Sequence, residues 1–151
     1  MDDGWRRTLV AHGALVYLAG LVLGFGFAFQ ELGRVELWPL PGSVALAIPG
    51  DVRAWRMAHL EGILNGLTLI AVAAVAPLLR LGPRAQAVVG WGLLVTAWGN
   101  TVASAIGPFT GGRGLAFGGG VANSTMYVLF VAAVVGVLAA MATVARGARD
   151  R

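Results

Sequence analysis

The sequence predicts an all-α integral-membrane protein, a single domain over residues 1–151 that forms a four-helix transmembrane bundle. Two observations lead to this fold class, and a third limits the chemistry. Of the 151 residues, 58% are hydrophobic and only 12% are charged, whereas soluble domains carry about 25% charged residues. The hydrophobic residues lie in four long blocks without the polar–apolar alternation of strands. The chain also has no cysteine, which excludes disulfides, thiol nucleophiles and thiolate metal sites.

The four hydrophobic blocks give the predicted helices in chain order. We expect spans at about 8–30, 54–79, 86–107 and 121–145. Each is about 20 residues or longer, which is the length that a helix needs to cross roughly 30 Å of hydrocarbon. Helices are favoured over strands because lipid cannot satisfy the backbone groups of an open sheet edge.

The arginines predict the orientation of the bundle, since all eleven basic residues are arginines. Seven fall on one side of the predicted membrane: Arg6, Arg7, Arg80, Arg84, Arg146, Arg149 and Arg151. Four fall on the other: Arg34, Arg53, Arg56 and Arg113. Because cytoplasmic segments carry the excess of positive charge, both termini are expected in the cytoplasm. The net charge of +4 forms no basic patch with interleaved aromatics, so we expect lipid and not nucleic acid as a partner.

The second span begins with the polar stretch AHLEGILNG, residues 58–66. A polar side chain inside a membrane costs free energy unless it is paired, faces the bundle interior or serves a function. At about 100° per residue, His59, Gly62 and Gly66 share one face of this helix. Glu61 and Asn65 share another face, roughly 120° around. Glu61 lies near the start of the span, where we expect it to reach headgroup water or Arg56.

The histidine face has two interpretations. Gly62 and Gly66 form a GxxxG pattern, which is typical of close helix packing. A histidine above two glycines is also what a flat macrocycle requires, because the imidazole binds iron and no side chains obstruct the ring. His12, the only other histidine, is expected at the opposite leaflet, so one subunit should not place His12 and His59 on one metal.

The third span offers a second polar face. Thr96, Asn100 and Ser104 recur every four residues and therefore lie on one side of the helix. Their hydroxyl and amide groups could bond neighbouring helices or line a substrate site, and the sequence leaves both interpretations open. Trp98 lies deep in this span, where a role at the membrane interface does not explain it.

Taken together, these stretches resemble the styrene oxide isomerase family of small bacterial integral-membrane enzymes. The second span carries a similar W-x-x-x-H-x-x-x-x-x-N-G pattern from Trp55 to Gly66. AHGALVYLAGLVLGFGF resembles the first span of the family, AWGNTV the third, and GPFTGGRGLAFG the loop that follows. The similarity covers about residues 8–118 in this order, and the last span agrees only in hydrophobicity.

The resemblance implies a homotrimer in the bacterial inner membrane that binds ferric haem b. The histidine of the family pattern falls on His59, which would be the axial iron ligand, with Gly62 and Gly66 beneath the ring. Arg113, in the matching loop, is a candidate partner of a haem propionate. Such a protein would use iron as a Lewis acid to convert a lipophilic epoxide to a carbonyl compound through a 1,2-hydride shift.

The resemblance also implies a substrate site and a change within it. Asn65 matches the asparagine expected to orient the epoxide, and Asn100 and Ser104 complete the predicted catalytic set. A tyrosine of the family falls on Ser104, and its aromatic neighbours fall on Ala103, Ala105 and Ile106. A wider and less aromatic cavity is therefore expected, for an epoxide larger than or different from styrene oxide.

Two other functions stay open at this stage. One is a haem-binding membrane protein for electron transfer or for sensing a small ligand, without isomerase activity. The other is a scaffold or small-solute permease without a cofactor, in which the glycine and polar faces serve packing alone. The two histidines inside the predicted spans argue against the second.

Overall fold

A computed structural model describes residues 1–149 and contains four long helices. They are α1 (Asp3–Leu32), α2 (Val52–Val75), α3 (Pro83–Thr110) and α4 (Val121–Arg149). A 3₁₀ turn, Ala76–Leu78, extends α2. Each helix coincides with one predicted span and extends beyond it at one or both ends, so the four-helix fold is confirmed. Arg151, one of the arginines that predict the orientation, lies outside the described residues.

Local capping explains why the helices exceed the apolar blocks. The side chains of Asp2 and Asp51 accept hydrogen bonds from the backbone of the first turns of α1 and α2, at 2.8 and 2.7 Å. Such caps satisfy N–H groups that have no partner within the helix. At the other ends, Gly33 and Gly111 adopt left-handed conformations, with φ of 64° and 67°. Glycine is favoured there because it has no Cβ to clash.

A small hairpin between α1 and α2 was not predicted. Strands β1 (Arg34–Glu36) and β2 (Ser43–Ala45) pair antiparallel, with Val35 opposite Val44. Three residues are too few to show a period of two in the sequence. The hairpin sits at the end of α1 and leaves the helical fold class unchanged.

The helices pack as two close pairs, α1 with α2 and α3 with α4, and α2 packs against α3 to join them. Fully buried aliphatic side chains fill the centre: Leu9, Val16, Leu69, Val89 and Leu93. Most residues of α4 are exposed or only partly buried. An apolar surface of this kind suits contact with lipid or with a second subunit.

The GxxxG face of α2 packs directly against α1. A methyl group added at Gly62 would lie 2.6 Å from the backbone nitrogen of Gly20, and one at Gly66 would lie 2.6 Å from that of Tyr17. Contacts this short require the absence of side chains, as in other small-residue helix interfaces. Within one subunit these two glycines are therefore covered by α1, and a macrocycle does not lie over them.

Three of the described helices are long and apolar enough to cross a membrane: α1, α2 with its 3₁₀ turn, and α4. Helix α3 has 28 residues, which is sufficient length, but its polar residues and glycines lower its hydropathy. It also has more buried residues than any other helix. The protein is therefore an integral membrane protein whose least apolar helix is the most buried.

Candidate functional site

His59 lies on the side of α2 that packs against α1. Its Nδ1 is 2.9 Å from the carbonyl oxygen of Gly20, and its ring stacks on Phe27 with the two planes 18° apart. A carbonyl oxygen only accepts, so Nδ1 donates and Nε2 carries the lone pair. Gly24 provides room for the ring, since a methyl group there would lie 2.6 Å from Nδ1. The imidazole is thus held in one orientation, with its lone pair on Nε2.

A cavity of about 600 Å³ opens between α2, α3 and α4. Its polar lining comprises Glu61 from α2, Asn100 and Ser104 from α3, and Tyr127 from α4, together with the exposed Arg53 and Arg113. Most of the remaining lining is apolar: Ala54, Met57, Leu115, Met126, Phe130, Val131, Val134 and Val135. Apolar walls with a few polar groups suit a small lipophilic ligand that carries one or two polar atoms.

The cavity and His59 lie on opposite sides of α2. Met57 and Glu61 line the cavity, and each is two residues from His59, which places them about 160–200° around the helix axis from it. The structure thus divides the predicted site into two groups. Asn100, Ser104 and Arg113 meet at the cavity, whereas His59, Gly62 and Gly66 face α1.

Asn65 connects to the cavity only through Glu61. It is 9% exposed, and its Nδ2 donates to the backbone carbonyl of Glu61 at 2.9 Å and to the carboxylate at 2.8 Å. The ion pairs within residues 1–149 do not join Glu61 to Arg56, so that predicted contact is absent there, whereas the reach of Glu61 towards headgroup water stays a prediction. The guanidinium of Arg56 instead lies 5.4 Å from the centre of the Phe27 ring, and Glu61 lines the cavity.

The other predicted polar residues bond neighbouring helices. Trp98 donates from Nε1 to Nδ1 of His12 at 3.0 Å, which explains an indole deep in the span. The hydroxyl of Thr96 lies 2.7 Å from the carbonyl of Gly92 and 2.9 Å from that of Ala133, linking α3 to α4. His12 and Thr96 therefore have packing partners, whereas Asn100 and Ser104 reach the cavity.

Asn123 holds the loop that carries Arg113 to the cavity, and sequence analysis did not single it out. Its Oδ1 accepts from the backbone N–H groups of Arg113 and Gly114, at 3.1 and 2.9 Å. Its Nδ2 donates to the carbonyls of Ala116 and Gly118, at 2.9 and 2.7 Å. An asparagine directly after a glycine-rich loop was the available signal, because a side-chain amide can replace missing backbone partners.

We expect Asn123→Ala to lower the free energy of unfolding by about 2–3 kcal/mol, because four hydrogen bonds are lost and water replaces only some of them. Trypsin should also cleave faster after Arg113. Both effects are measured in detergent, by denaturant titration and limited proteolysis. Thr143→Ala is the control, since its hydroxyl bonds only the carbonyl of Ala139 one turn earlier. Equal stabilities of the two variants would contradict the prediction.

Tyr127 is a second residue that sequence analysis missed. It is one of two tyrosines in the chain, and its ring meets Phe117 edge-on at 6.0 Å. A phenol inside a span was the available signal, because polar groups there need a partner or a function. Helix α4 thus adds a phenol to the cavity that Ser104 also lines.

The fold and the cavity define a helical membrane protein with a largely apolar cavity between three of its helices. The sequence model of the styrene oxide isomerase family matches residues 5–149, and the chain belongs to this family. A styrene-oxide isomerase from Pseudomonas fluorescens is 30% identical over 119 residues, which cover 78% of this chain and 69% of the relative. The predicted family is thus confirmed, the match extends through the last span, and the homology indicates an isomerase.

Proposed function

We propose that the protein is a membrane haem-b isomerase that converts a lipophilic epoxide to a carbonyl compound. The observation that carries this proposal is the apolar cavity with Glu61, Asn100 and Ser104 in its wall, in a chain of the styrene oxide isomerase family. The named relative acts on styrene oxide. Because Ser104 is small and reaches the cavity, we propose a bulkier epoxide for this chain.

The surroundings of His59 fit an axial iron ligand. The bond from Nδ1 to Gly20 orients the ring in the way that outer partners of metal-bound histidines do. Within residues 1–149, no group of three or more His, Cys, Asp or Glu could hold a metal ion, so a metal on His59 needs most of its ligands from a macrocycle. Arg56 lies on the same side of α2, above Phe27, and offers a charge to a haem propionate. Ferric haem at this position would supply a Lewis acid for the epoxide oxygen.

We propose that the active site forms between subunits of a homotrimer. A single chain directs His59 and the cavity to opposite sides of α2, so it does not bring both to one epoxide. A head-to-tail contact that closes into a ring would bring the partly buried His59 of one subunit near the cavity of the next. Arg113 lines that cavity and would then lie near the haem of the neighbouring subunit. This arrangement keeps the predicted pairing of Arg113 with a haem propionate.

The chain's own residues bind and orient the epoxide and exclude water. Asn100 and Ser104 are two of the cavity groups that can donate to its oxygen, and they lie at the level where the family tyrosine falls. Met126, Phe130 and Val131 form an apolar wall against the substrate's hydrocarbon part. A dry site matters because water would otherwise add to the carbocation that forms when the C–O bond breaks. Asn65 does not line the cavity, and it orients Glu61, which does, through a hydrogen bond to the carboxylate.

We also propose a location and an orientation. The relative comes from a bacterium, which supports the inner membrane as the site of this protein. The excess of arginines at the N-terminus, the α2–α3 loop and the C-terminal end supports cytoplasmic termini. Because the chain has no cysteine, single cysteines introduced at Arg84 and Arg113 can be labelled from either side to test this orientation.

The proposed reaction is tested with purified, haem-loaded protein and a panel of aryl and alkyl epoxides without added reductant. Styrene oxide and bulkier aryl epoxides with two deuterium atoms on the terminal carbon report the mechanism. A hydride shift keeps both deuterium atoms in the aldehyde, one on each carbon, whereas a route through an enol loses one to water. No turnover of any epoxide would overturn the proposal. A reducible haem that binds carbon monoxide would then support electron transfer or ligand sensing.

Substitution of Ser104 tests the assignment of the cavity. Ser104→Tyr is expected to lower kcat/KM for bulky aryl epoxides relative to styrene oxide by about 10-fold, because a phenol fills part of the cavity and a few lost contacts change affinity by 1–3 kcal/mol. Val102→Tyr adds the same side chain to the exposed side of α3 and serves as control. An unchanged substrate preference in Ser104→Tyr would show that the substrate binds elsewhere.

A further inference from the structure

The amide of Asn65 has no hydrogen left to donate to a substrate. Both of its donor contacts end on Glu61, one on the backbone carbonyl and one on the carboxylate. Both partners are acceptors, so the nitrogen of the amide, and not its oxygen, must face them. The bond to the carboxylate spans one helical turn and fixes the side chain of Glu61 against α2. Asn65 therefore positions Glu61.

Glu61 brings a carboxylate to a cavity whose wall is mostly apolar. The same lining includes Met57 on its own helix and Met126 and Phe130 on α4. The ion pairs found within residues 1–149 join Arg6 to Asp3 and Arg34 to Glu36, and neither involves Glu61. A carboxylate that is half-buried without an arginine within 4 Å carries a desolvation cost. Such a group inside a membrane indicates a function.

We infer that Glu61 is a catalytic residue whose carboxylate stabilises the positive charge that develops on an epoxide carbon. This inference rests on the proposed function. As the C–O bond breaks, its electron pair goes to oxygen and the carbon becomes electron-poor. A hydride then moves with its pair from the oxygen-bearing carbon to that centre, and the C=O bond forms. Glu61 gains and loses no proton, and atoms and electrons balance because the product is an isomer of the substrate.

The arrangement favours electrostatic stabilisation over covalent attack. Asn65 holds one carboxylate oxygen, and the short tether to the helix limits the approach of the other. A fixed negative charge in a dry site acts more strongly than in water and needs no rearrangement during the reaction. Since the two arginines of the lining, Arg53 and Arg113, are both exposed, solvent screens their opposing charge more than that of Glu61.

The test compares wild type, Glu61→Gln and Glu31→Gln, each haem-loaded, on para-substituted styrene oxides. Glutamine keeps an acceptor for Asn65 and removes the charge, whereas Glu31 is exposed at the end of α1. We expect Glu61→Gln to lower kcat about 10- to 100-fold, because a charge a few ångströms away acts at an effective dielectric of about 20. The dependence of kcat on the electron-donating power of the substituent should steepen. Glu31→Gln should match wild type.

Binding of benzylammonium and benzyl alcohol gives a readout without turnover. The cation mimics the developing charge, so its affinity should fall about 10-fold in Glu61→Gln by calorimetry, as expected for one lost charge pair. The affinity for benzyl alcohol should stay the same, which shows that the cavity is intact. Asn65→Leu should lower kcat when it is introduced into the wild-type protein. It should have little further effect when it is added to Glu61→Gln, because the effects of two substitutions in one hydrogen-bonded unit do not add.

The outcomes separate this inference from the proposed function. If wild type turns over epoxides and Glu61→Gln retains its kcat, its substituent dependence and its affinity for benzylammonium, only the role of Glu61 is overturned. A substrate adduct on Glu61 in the mass spectrum would also overturn it, in favour of covalent catalysis. If haem-loaded wild type turns over no epoxide, the proposed function fails, and the role of Glu61 in that reaction fails with it.

Discussion

His59→Ala is expected to abolish the Soret absorption of the purified, haem-reconstituted protein and to lower epoxide turnover at least about 100-fold. The imidazole is the one side chain on this face that is both oriented by a backbone carbonyl and able to bind iron through Nε2. Visible spectra and haem content of the variant, beside wild type, measure the first effect. Aldehyde formation from the preferred epoxide measures the second.

His12→Ala is the matched control for this prediction. It removes the other imidazole of the chain, whose Nδ1 accepts a hydrogen bond from Trp98. His12 lies about 12 Å along α1 from Gly20, the residue that bonds His59. We expect it to keep haem and activity while losing some stability. Loss of haem in His12→Ala with retention in His59→Ala would reverse the assignment. A colourless wild type, even after expression with added haem, would contradict haem binding and leave packing as the role of this face.

Mixed oligomers test whether His59 and the cavity act from different subunits. Coexpression of His59→Ala with a cavity-blocked Ser104→Trp variant, each inactive alone, should restore about a quarter of the wild-type sites in randomly mixed rings. An intact histidine in one subunit then meets an intact cavity in the next. If both groups act from a single subunit, mixing restores nothing.

Gly62→Ala is expected to lower the free energy of unfolding by about 2–3 kcal/mol, the cost of overpacking a close contact. The added methyl group would lie 2.6 Å from the backbone nitrogen of Gly20, so the backbones of α1 and α2 must move apart at this contact. For a chain of this size, we expect the midpoint of thermal unfolding in detergent to fall by about 5–10 °C. Haem retention should fall as well, because Gly20 also holds Nδ1 of His59.

Gly107→Ala is the control for this substitution. It adds the same methyl group to a helical glycine whose nearest neighbours would lie at 3.5 and 3.6 Å, which is ordinary contact distance. Helix propensity alone makes alanine slightly better than glycine at such a position. An unchanged midpoint in Gly62→Ala would contradict the packing of the GxxxG face against α1 and would leave that face open to a ring.

Much of the fold followed from the sequence because membrane-spanning helices appear as long apolar segments. Four apolar blocks predicted four helices, and the polar residues inside them predicted where chemistry or helix contacts occur. His59, Asn65, Asn100 and Ser104 stand out in this way as polar residues inside apolar spans. The hairpin after α1 and the bonds of Asn123 to the preceding loop were missed because both depend on short-range backbone partners that show no periodicity.

The class of protein, its family and the residues worth testing therefore followed from the amino-acid pattern. The surroundings of those residues did not, because they depend on packing. A helical repeat gives the angle between two side chains but not the neighbour that each one meets. The repeat already separates His59 from Glu61 on α2. Packing of α1 on the glycines of α2 brought His59 to the carbonyl of Gly20, and packing of α3 and α4 against α2 placed Glu61 in the wall of a cavity. Contacts between distant segments set these neighbours, and no local pattern encodes them.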